Sequence, residues 1–555
     1  MRLKISKSKN AASLYVIEDI TVNNKRTTRI VEKLGTVKEL EEKLDGQDPV
    51  VWAKNYIAEL NQKEKEQTRD VIVKYNQSKL LSKNVQTTYN GGYMFLQQIY
   101  HQLGLHNICR KISNNYKFTF NLDSILSRLV YGRILFPSSK LNTYQESRMF
   151  LEQPGFDLQH IYRALEIIAK ETDFIQSELY KNSLSVSKRN DQILYYDCTN
   201  YFFEIEQEEG LKQYGLSKEN RPNPLVEMGL FMDGDGIPLA FSIHSGNTNE
   251  QTTLKPLEEK ILKDFDLAKF VVCTDAGLSS IGNRKFNNKQ GRAFITTQSV
   301  KKLKKHLKEW VLDPSGWHLS GRKGSYNITD LEKNEKVYEK YKSETFFKER
   351  WINENGLEQK LIVTYSLKYK DYQRQIRNKQ LERAAKQVEK DPSSINRKRP
   401  NDYKRFITSD SVTKDGEIAD KQLHSINGDV VKKEEMYDGF YAVCTNLEND
   451  TFEILKINHR RWKIEECFRL LKSEFKARPV YLSRDDRIIA HFTTCFLALT
   501  IYRYLEKKLD DNFTSHSIIN NLRDMNFSLV PNTGYVPTYT INDFTTLLFG
   551  IQFNN

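Results

Sequence analysis

Two aspartates in this sequence lie within or directly after apolar runs that are typical of buried strands. Asp197 lies inside the run from Ile193 to Thr199, and Asp275 follows the run that begins at Phe270 and comes just before a glycine turn. An ionised carboxylate in such a run costs free energy unless it is paired, hydrogen-bonded or bound to a metal ion. Taken singly, each also has an ordinary explanation, since Asp197 could bond nearby backbone at a bend and Asp275 could cap a helix.

A third carboxylate, Glu465, lies in a long amphipathic helix predicted from about Asn458 to Phe475. Arg461 precedes Glu465 by four residues and Lys472 follows it by seven, which places the three side chains on one helix face. The same spacing is typical of a solvated ladder of ion pairs, each contributing a few tenths of a kcal/mol. On its own, the helix would be explained by that ladder.

The combination of the three carboxylates favours a different chemistry. Two carboxylates from strands and one from a following helix can converge on a pair of hard divalent cations, which prefer oxygen ligands. Two such ions roughly 4 Å apart can activate a water and stabilise the leaving oxygen of a phosphodiester. Arg461 and Lys472 would then meet the negative backbone of a nucleic acid. The pattern therefore predicts metal-dependent phosphodiester chemistry.

The motifs around these residues resemble those of bacterial insertion-sequence DDE transposases. Arg461-x3-Glu465-x6-Lys472 reproduces the Arg, Glu and Lys part of that family's Tyr-x2-Arg-x3-Glu-x6-Lys signature. Tyr196-Asp197-Cys198-Thr199 and Thr274-Asp275-Ala276-Gly277-Leu278-Ser279 are also similar to the family's motifs. The likeness extends from about residue 191 to residue 505. The tyrosine of the signature falls on Asn458, which can donate to a phosphate but cannot stack.

The resemblance implies a role for each matching residue. Asp197, Asp275 and Glu465 would form the catalytic, metal-binding triad, and Asn458, Arg461 and Lys472 would contact DNA. The implied cofactor is Mg²⁺, for which Mn²⁺ is expected to substitute. The implied activity is cleavage and strand transfer of insertion-sequence ends, that is, cut-and-paste DNA transposition. The implied partners are double-stranded DNA with terminal inverted repeats, target DNA, and a second copy of the chain in a homodimeric synaptic complex.

The elements that must position these residues indicate an α/β protein. Three meandering β-rich runs between Ile193 and Gly246 are followed by alternating helix and strand up to Thr297, the order expected of a ribonuclease-H-like sheet. The 190 positions from Asp275 to Glu465 are too many for a bare core of this kind. The resemblance implies a β-rich insertion that interrupts the core. A helix-rich region, broken at Pro137-Ser138-Ser139, is predicted before the core.

These patterns predict six segments. They are an N-terminal basic region (1–90), a helical DNA-binding and dimerisation region (91–186), the ribonuclease-H-like core in two parts (187–300 and 436–510, the second with the catalytic helix), an insertion domain (301–435) and a C-terminal tail (511–555). We expect sequence-specific binding of DNA ends to lie mainly before about residue 186, where the chain is basic and helical.

The predicted insertion contains the most basic stretch of the chain. Lys368 to Arg405 holds 13 Lys and Arg residues against five Asp and Glu residues, with tyrosines interleaved. Such a stretch suits a displaced or hairpinned DNA strand, since a base stacked on an aromatic ring contributes about 1–3 kcal/mol. Arg397, Lys398 and Arg399 are the predicted DNA contacts. A solvated charged helix from Tyr372 to Lys390 is the alternative.

Composition adds bounds on partner and compartment. The 555 residues have a net charge of +13 and are 39% hydrophobic, which excludes wholesale disorder and favours a polyanionic partner. Six cysteines without a Cys-x-x-Cys pair exclude a zinc ribbon and indicate a reducing cytoplasm. We find no secretory signal and expect no membrane span, with Phe492 to Tyr504 predicted as a buried helix. The expected location is the bacterial cytoplasm, in association with the nucleoid.

Two other functions stay open at this level. One is a ribonuclease-H-like nuclease that cuts DNA without strand transfer, and the other is a non-enzymatic, DNA-binding descendant of a transposase. The presence of all three carboxylates argues against the descendant. Asp233 and Asp235 flank glycines in a predicted hairpin turn, and turn chemistry accounts for them.

Overall fold

A computed structural model describes residues 1–8, 11–22, 25–44, 46–67, 86–289, 291–390, 402–411, 422–530 and 533–551. The chain divides into two compact units, Met1–Val85 and Gln86–Asn555. The candidate site residues all belong to the second unit.

The first unit combines a small antiparallel sheet with two helices. Its elements are β1 (Arg2–Lys7), β2 (Ala12–Val22), β3 (Lys25–Thr36), α1 (Val37–Lys43) and α2 (Pro49–Gln67). The strands pair in the order β1-β2-β3. Thr36 and Glu39 form a capping box that starts α1, each side chain bonding the other residue's backbone N–H. Leu14, Leu40 and Ala53 form the buried core of this unit.

The second unit begins with the predicted helix-rich region. Its elements are β4 (Thr88–Asn90), α3 (Tyr93–Gln102), α4 (Leu105–Asn114), α5 (Leu122–Leu135), α6 (Lys140–Glu146), α7 (Leu158–Lys170) and α8 (Thr172–Val186). The helix break predicted at Pro137-Ser138-Ser139 is confirmed, because α5 ends before it and α6 begins after it. The Ser139 hydroxyl caps α6 by accepting a hydrogen bond from the Asn142 amide.

A central sheet follows and confirms the predicted α/β class. Its first elements are β5 (Ile193–Phe202), β6 (Leu225–Asp233), β7 (Pro238–Ser245), α9 (Leu254–Asp264), β8 (Val271–Thr274), α10 (Ile281–Phe286) and β9 (Ala293–Gln298). Strands β5, β6 and β7 form an antiparallel meander. Strand β8 runs parallel to β5 on its other side, and β9 runs parallel to β8.

The segment predicted as an insertion adds strands to this same sheet. Its elements are α11 (Lys305–Leu312), β10 (His318–Leu319), α12 (Glu335–Tyr341), β11 (Phe346–Glu354), β12 (Leu357–Tyr365), α13 (Leu367–Lys390), β13 (Ile407–Ser411), β14 (Gln422–Ile426), α14 (Gly428–Glu435) and, after it, β15 (Phe440–Thr445). The full order is β10-β11-β12-β15-β9-β8-β5-β6-β7, and β13 pairs with β14 separately. The predicted segment boundaries stay predictions.

The C-terminal part contains the helix with Glu465. Its elements are α15 (Thr451–His459), α16 (Trp462–Ser473), α17 (Asp485–Lys508), α18 (Ser515–Asp524), β16 (Asn526–Val530), β17 (Gly534–Pro537) and α19 (Asp543–Gly550). The helix predicted from about Asn458 to Phe475 is present as α16, but it starts only at Trp462, because the chain turns between α15 and α16. At the turn the Arg461 amide donates to the Asn458 carbonyl, three residues back rather than four.

Helix α17 runs through the core of the second unit. Its residues from Ala490 to Leu505 are buried without interruption, and it packs against α3, α5, α7 and β7. The prediction of a buried helix at Phe492 to Tyr504 is confirmed. Within the described ranges, α17 is the helix whose length and composition would suffice to cross a membrane, and nearly all of its apolar stretch is buried inside the protein.

Candidate active site

Asp197 lies where strand β5 loses its neighbour on one side. The pairing of β5 with β8 ends at Tyr195 and Cys273, whereas its pairing with β6 continues through Asp197. The side chain of Asp197 is only 16% exposed. Its Oδ1 accepts a hydrogen bond from the Cys198 amide at 2.8 Å. The backbone bond considered as the ordinary explanation is therefore present, and it occupies one of the two carboxylate oxygens.

Asp275 follows β8 directly, at the carboxyl end of the strand that neighbours β5. Its Oδ1 accepts a hydrogen bond from the Leu278 amide at 3.0 Å and so closes a turn. The helix-capping explanation for Asp275 is wrong, because Ser280 caps α10. The Asp275 carbonyl accepts a hydrogen bond from the Thr296 hydroxyl on β9 at 3.2 Å. These bonds fix Asp275 at the sheet edge near Asp197.

The two aspartates repel each other in a confined site. Burial, followed by the charge of Asp275, raises the pKa of Asp197 to about 6, although Lys218, the Cys198 amide and Arg461 act in the opposite direction. A carboxylate perturbed by both burial and a like charge is typical of a functional site. Added positive charge at this position would favour the ionised form of Asp197.

Arg461, at the turn between α15 and α16, connects the helix carboxylate with the strand carboxylate. Its Nη2 lies 3.0 Å from Glu465 Oε1, and its Nη1 lies 4.0 Å from Asp197 Oδ2. Burial opposes the charged form of Arg461, but the charges of Asp197 and Glu465 outweigh burial and raise its pKa. The structure thus places Asp197 and Glu465 at one guanidinium, and the charge of Asp275 also acts on it.

The sequence predicts Lys472 on the same helix face as Glu465. In the structure Lys472 reaches strand β5 instead of pairing with that glutamate. Its Nζ donates to the Thr199 hydroxyl at 2.7 Å and lies 3.4 Å from Glu219 Oε1. Burial and Lys218 lower the pKa of Lys472 to about 8, against the charges of Glu227 and Asp197. Lys472 is therefore a confined cation two positions along β5 from Asp197.

Asn458, at the position of the signature tyrosine, is 6% exposed. Its Nδ2 donates to the Tyr441 hydroxyl at 2.9 Å, and its Oδ1 accepts from the Cys273 thiol at 3.6 Å. Tyr441 on β15 also contributes to the raised pKa of Arg461. A tyrosine is therefore near Arg461 although the signature position itself is Asn458. A DNA contact by Asn458 stays a prediction.

Sequence reasoning missed Lys218, which lies between β5 and β6. Its Nζ donates to the Cys198 carbonyl at 2.6 Å and lies 2.7 Å from Glu250 Oε1, so it covers the open edge of β5 beside Asp197. Glu227 on β6 was missed as well; it is 3% exposed, and burial raises its pKa to about 8. Neither residue belongs to a motif or a periodic pattern that could have revealed it.

The sequence also singled out three basic residues and two turn aspartates. Arg397, Lys398 and Arg399 lie outside the described residues. Asp233 is buried against Arg189, and its Oδ1 accepts hydrogen bonds from the Asp235 and Ile237 amides. The turn explanation for Asp233 is therefore confirmed.

The donor chemistry of the cluster fits a hard divalent cation. Asp197, Asp275 and Glu465 supply carboxylate oxygens, which Mg²⁺ and Mn²⁺ prefer, and the raised pKa of Asp197 reflects a repulsion that a cation would relieve. Among the residues that the structure describes, no three His, Cys, Asp or Glu side chains are gathered closely enough to hold a metal ion as placed. Glu465 is turned to Arg461.

Comparison with known families decides the assignment of the chain. The sequence model of the transposase DDE domain matches residues 206–501, more than half of the chain, including Asp275 and Glu465. The chain belongs to the DDE transposase family. The match begins shortly after Asp197. Membership makes this transposase a DNA-cleaving and DNA-transferring enzyme of a family that generally uses divalent metal ions.

Several solved structures are similar to this transposase. One of them is the cryo-EM structure of the piggyBac transposase synaptic complex with hairpin DNA. The likeness covers 80% of each chain at 7% identity, with a TM-score of 0.37. No curated protein matches the chain.

Proposed function

We propose that this protein is the transposase of a bacterial insertion sequence, which cuts the ends of its element and joins them to target DNA. The observation that supports this most is the position of the three carboxylates relative to Arg461, with Glu465 at 3.0 Å, Asp197 at 4.0 Å and Asp275 acting through its charge. These residues come from two strands and a helix that are far apart in the sequence, and ion pairing alone does not require two aspartates to repel each other in a confined site.

The proposed catalytic core is ribonuclease-H-like. The strand order β7-β6-β5-β8-β9, with an antiparallel meander and two following parallel strands, supports it. In this arrangement Asp197 lies on β5 and Asp275 follows the adjacent parallel strand, where α/β sheets place their sites. Helix α16 then supplies Glu465.

In this proposal Asp197, Asp275 and Glu465 would hold Mg²⁺, with Mn²⁺ as a substitute. Such ions, when bound, activate the attacking oxygen and stabilise the leaving oxygen of a phosphodiester. Arg461 orients Glu465 by a salt bridge and favours the ionised form of Asp197. Lys472, fixed on Thr199, offers its charge to the scissile strand.

The proposed partners are the inverted-repeat ends of the element, target DNA and a second copy of this chain in a homodimeric synaptic complex. The net charge of +13 supports a polyanionic partner. In the segment from 301 to 435, helix α13 presents Tyr372 at 58% exposure among basic residues, which supports contact with DNA there. We place the protein at the nucleoid in the bacterial cytoplasm.

A strand-transfer assay tests the proposed function. Purified protein is incubated with Mg²⁺, a supercoiled target plasmid and duplexes with the inverted repeats that flank its gene. Duplexes with scrambled repeats are the control. We expect joined products from the native ends alone. Cut ends without joining would instead support the nuclease alternative, and binding without cutting would support the non-enzymatic descendant.

A further inference from the structure

A basic pocket lies between the helical region and the chain that follows the catalytic helix α16. It is a cavity of 440 Å³, which we call the Lys140 pocket. Its charged and titratable lining comprises Arg133, Lys140, Lys476, Arg478, His491 and the tyrosines Tyr162 and Tyr481. Among the described residues, none that lines this pocket is acidic. None of these residues belongs to the cluster of carboxylates.

Lys140 is the residue that demands an explanation. It is 5% exposed, and its Nζ has no hydrogen-bond partner among the described residues. Burial and the charge of Arg133 lower the pKa of Lys140 to about 7. A buried ammonium without an acceptor costs free energy, whereas a lysine with a bound anion would recover it.

Polar residues near Lys140 form hydrogen bonds with other groups. Arg133 donates to the carbonyls of Phe475 at 3.1 Å and Ser138 at 3.2 Å, so it anchors the chain just after α16. Glu146 accepts hydrogen bonds from Ser138 and Asn142. The Lys140 ammonium therefore lies without an acceptor beside a cavity whose charged lining residues are basic.

A series of polar contacts through Glu219 connects the pocket with the candidate active site. Arg478 on the rim forms an ion pair with Glu219, which also lies 3.4 Å from Lys472 Nζ. Lys472 in turn donates to Thr199, two residues from Asp197. Tyr481 on the same rim is 64% exposed, which suits stacking of a base next to a bound phosphate.

We propose that the Lys140 pocket binds a backbone phosphate of the DNA strand that lies across the active site. The phosphate accepts hydrogen bonds from the rim arginine Arg478 and from Lys140, whose buried ammonium turns into the cavity to reach it. Charge-assisted bonds of this type are the stronger ones. The identity of the anion rests on the proposed function, because free phosphate offers the same chemistry. The connection through Arg478 and Lys472 favours DNA.

DNA binding by the full-length Lys140→Met variant tests the proposal. Methionine keeps the length and apolar stem of lysine and removes only the amine. Binding of the end duplex is followed by fluorescence anisotropy in EDTA over a salt series. We expect the affinity to fall roughly tenfold or more and the log-log salt slope to fall by about one. Wild-type affinity and slope in this variant would overturn the proposal.

Two further variants serve as controls for Lys140→Met. Lys170→Met removes the same charge from an exposed position on α7 and should change the affinity far less than Lys140→Met. Lys140→Gln repeats the test with a polar, uncharged side chain, and circular dichroism verifies that each variant is folded. Equal losses of DNA affinity in Lys140→Met and Lys170→Met would show that only the net charge of the protein matters, and would overturn the proposed site.

A test with inorganic phosphate distinguishes a DNA phosphate from free phosphate as the bound anion. Phosphate should raise the melting temperature of the wild type and leave Lys140→Met unchanged. If phosphate stabilises the wild type while both proteins bind DNA equally, the pocket takes free phosphate and the DNA assignment is overturned. DNA binding is measured in EDTA and so does not depend on cleavage. If the wild type fails to join DNA ends but its binding still depends on Lys140, the proposed function is overturned and the phosphate site is not.

Discussion

The three carboxylates differ in how firmly the protein holds them. Asp197 is 16% exposed and fixed by the Cys198 amide, whereas Glu465 is 58% exposed and held by a salt bridge to Arg461. Arg461 is 21% exposed and lies between them. Removing its charge would leave the aspartates to repel each other with less compensation. In the proposed site Arg461 therefore acts as a positioning residue as well as a phosphate contact.

Arg461→Ala and Lys472→Ala should each weaken DNA binding and lower the log-log salt slope by close to one, because each removes a cation proposed to neutralise a phosphate. The slope is measured by anisotropy over a salt series. Arg469→Ala is the control, since Arg469 lies on the same helix with a side chain that is 74% exposed. Slopes equal to the wild type for both test variants would return Arg461 and Lys472 to purely structural roles.

Lys140 should make stability depend on pH in alkaline solution. Burial and Arg133 lower its pKa to about 7 in the folded protein, while the unfolded chain keeps it near about 10.4. Between these values the unfolded state binds more protons, so this group's contribution to stability rises with pH. Lys140→Met should therefore raise the free energy of unfolding most at neutral pH, by a few kcal/mol, with the gain shrinking towards pH about 10.

Urea denaturation of both proteins at several pH values measures this difference. Lys170→Met, which removes an exposed amine, should show the pH dependence of the wild type. A constant difference between Lys140→Met and the wild type from neutral to alkaline pH would contradict the burial of an unpartnered amine.

At the scale of elements, the turn between α15 and α16 is the feature that the sequence did not reveal. The apolar periodicity continues through Arg460 and Arg461, so a local pattern predicts one helix. The turn depends on contacts from distant strands, since Asn458 at the end of α15 bonds Tyr441 on β15 and Cys273 on β8. Arg461 thereby becomes the N-cap residue of α16 rather than a residue inside a helix.

Asn458→Ala should destabilise the protein by about 1–3 kcal/mol, because it leaves buried polar partners unsatisfied. Chemical denaturation measures the loss. A double-mutant cycle with Tyr441→Phe should show coupling between the two residues, since one hydrogen bond joins them. Unchanged stability together with a large loss of DNA affinity in Asn458→Ala would instead support the predicted phosphate contact.

The strands and their carboxylates were predictable because local signals determine them. An apolar run that contains Asp197, and another that ends at Asp275, are visible in a few residues each. Lys218 and the pairing of β15 with β9 were not predictable, since they depend on which distant segments meet. The family resemblance supplied the link between Asp275 and Glu465 that periodicity alone could not give.

At the scale of the whole molecule, the helical region and the catalytic sheet share one hydrophobic core. Buried residues of α3, α5 and α7 belong to the same cluster as those of β5, β6, α16 and α17. The helices before residue 186 are therefore not separable from the sheet by deletion. Residues 1–85, in contrast, form a compact unit with a small core of their own.

A variant that begins at residue 86 should consequently fold and keep general affinity for DNA. If sequence-specific recognition involves the N-terminal region, as predicted, this variant should lose part of its preference for the element's own ends over random duplex. Competition binding measures the preference, and thermal melting verifies the fold. A preference equal to that of the full chain would assign recognition to residues after 85.

The most direct test of the central claim compares three conservative variants, Asp197→Asn, Asp275→Asn and Glu465→Gln. The measured quantity is the rate of end cleavage in Mg²⁺, together with DNA affinity in EDTA. Glu453→Gln is the control, because Glu453 is an exposed glutamate on the neighbouring helix α15. If the three carboxylates form one metal-dependent centre, each variant should lose roughly a thousandfold or more in rate with affinity nearly unchanged, and the control should cleave normally. Near wild-type cleavage by any one of the three variants would contradict the claim.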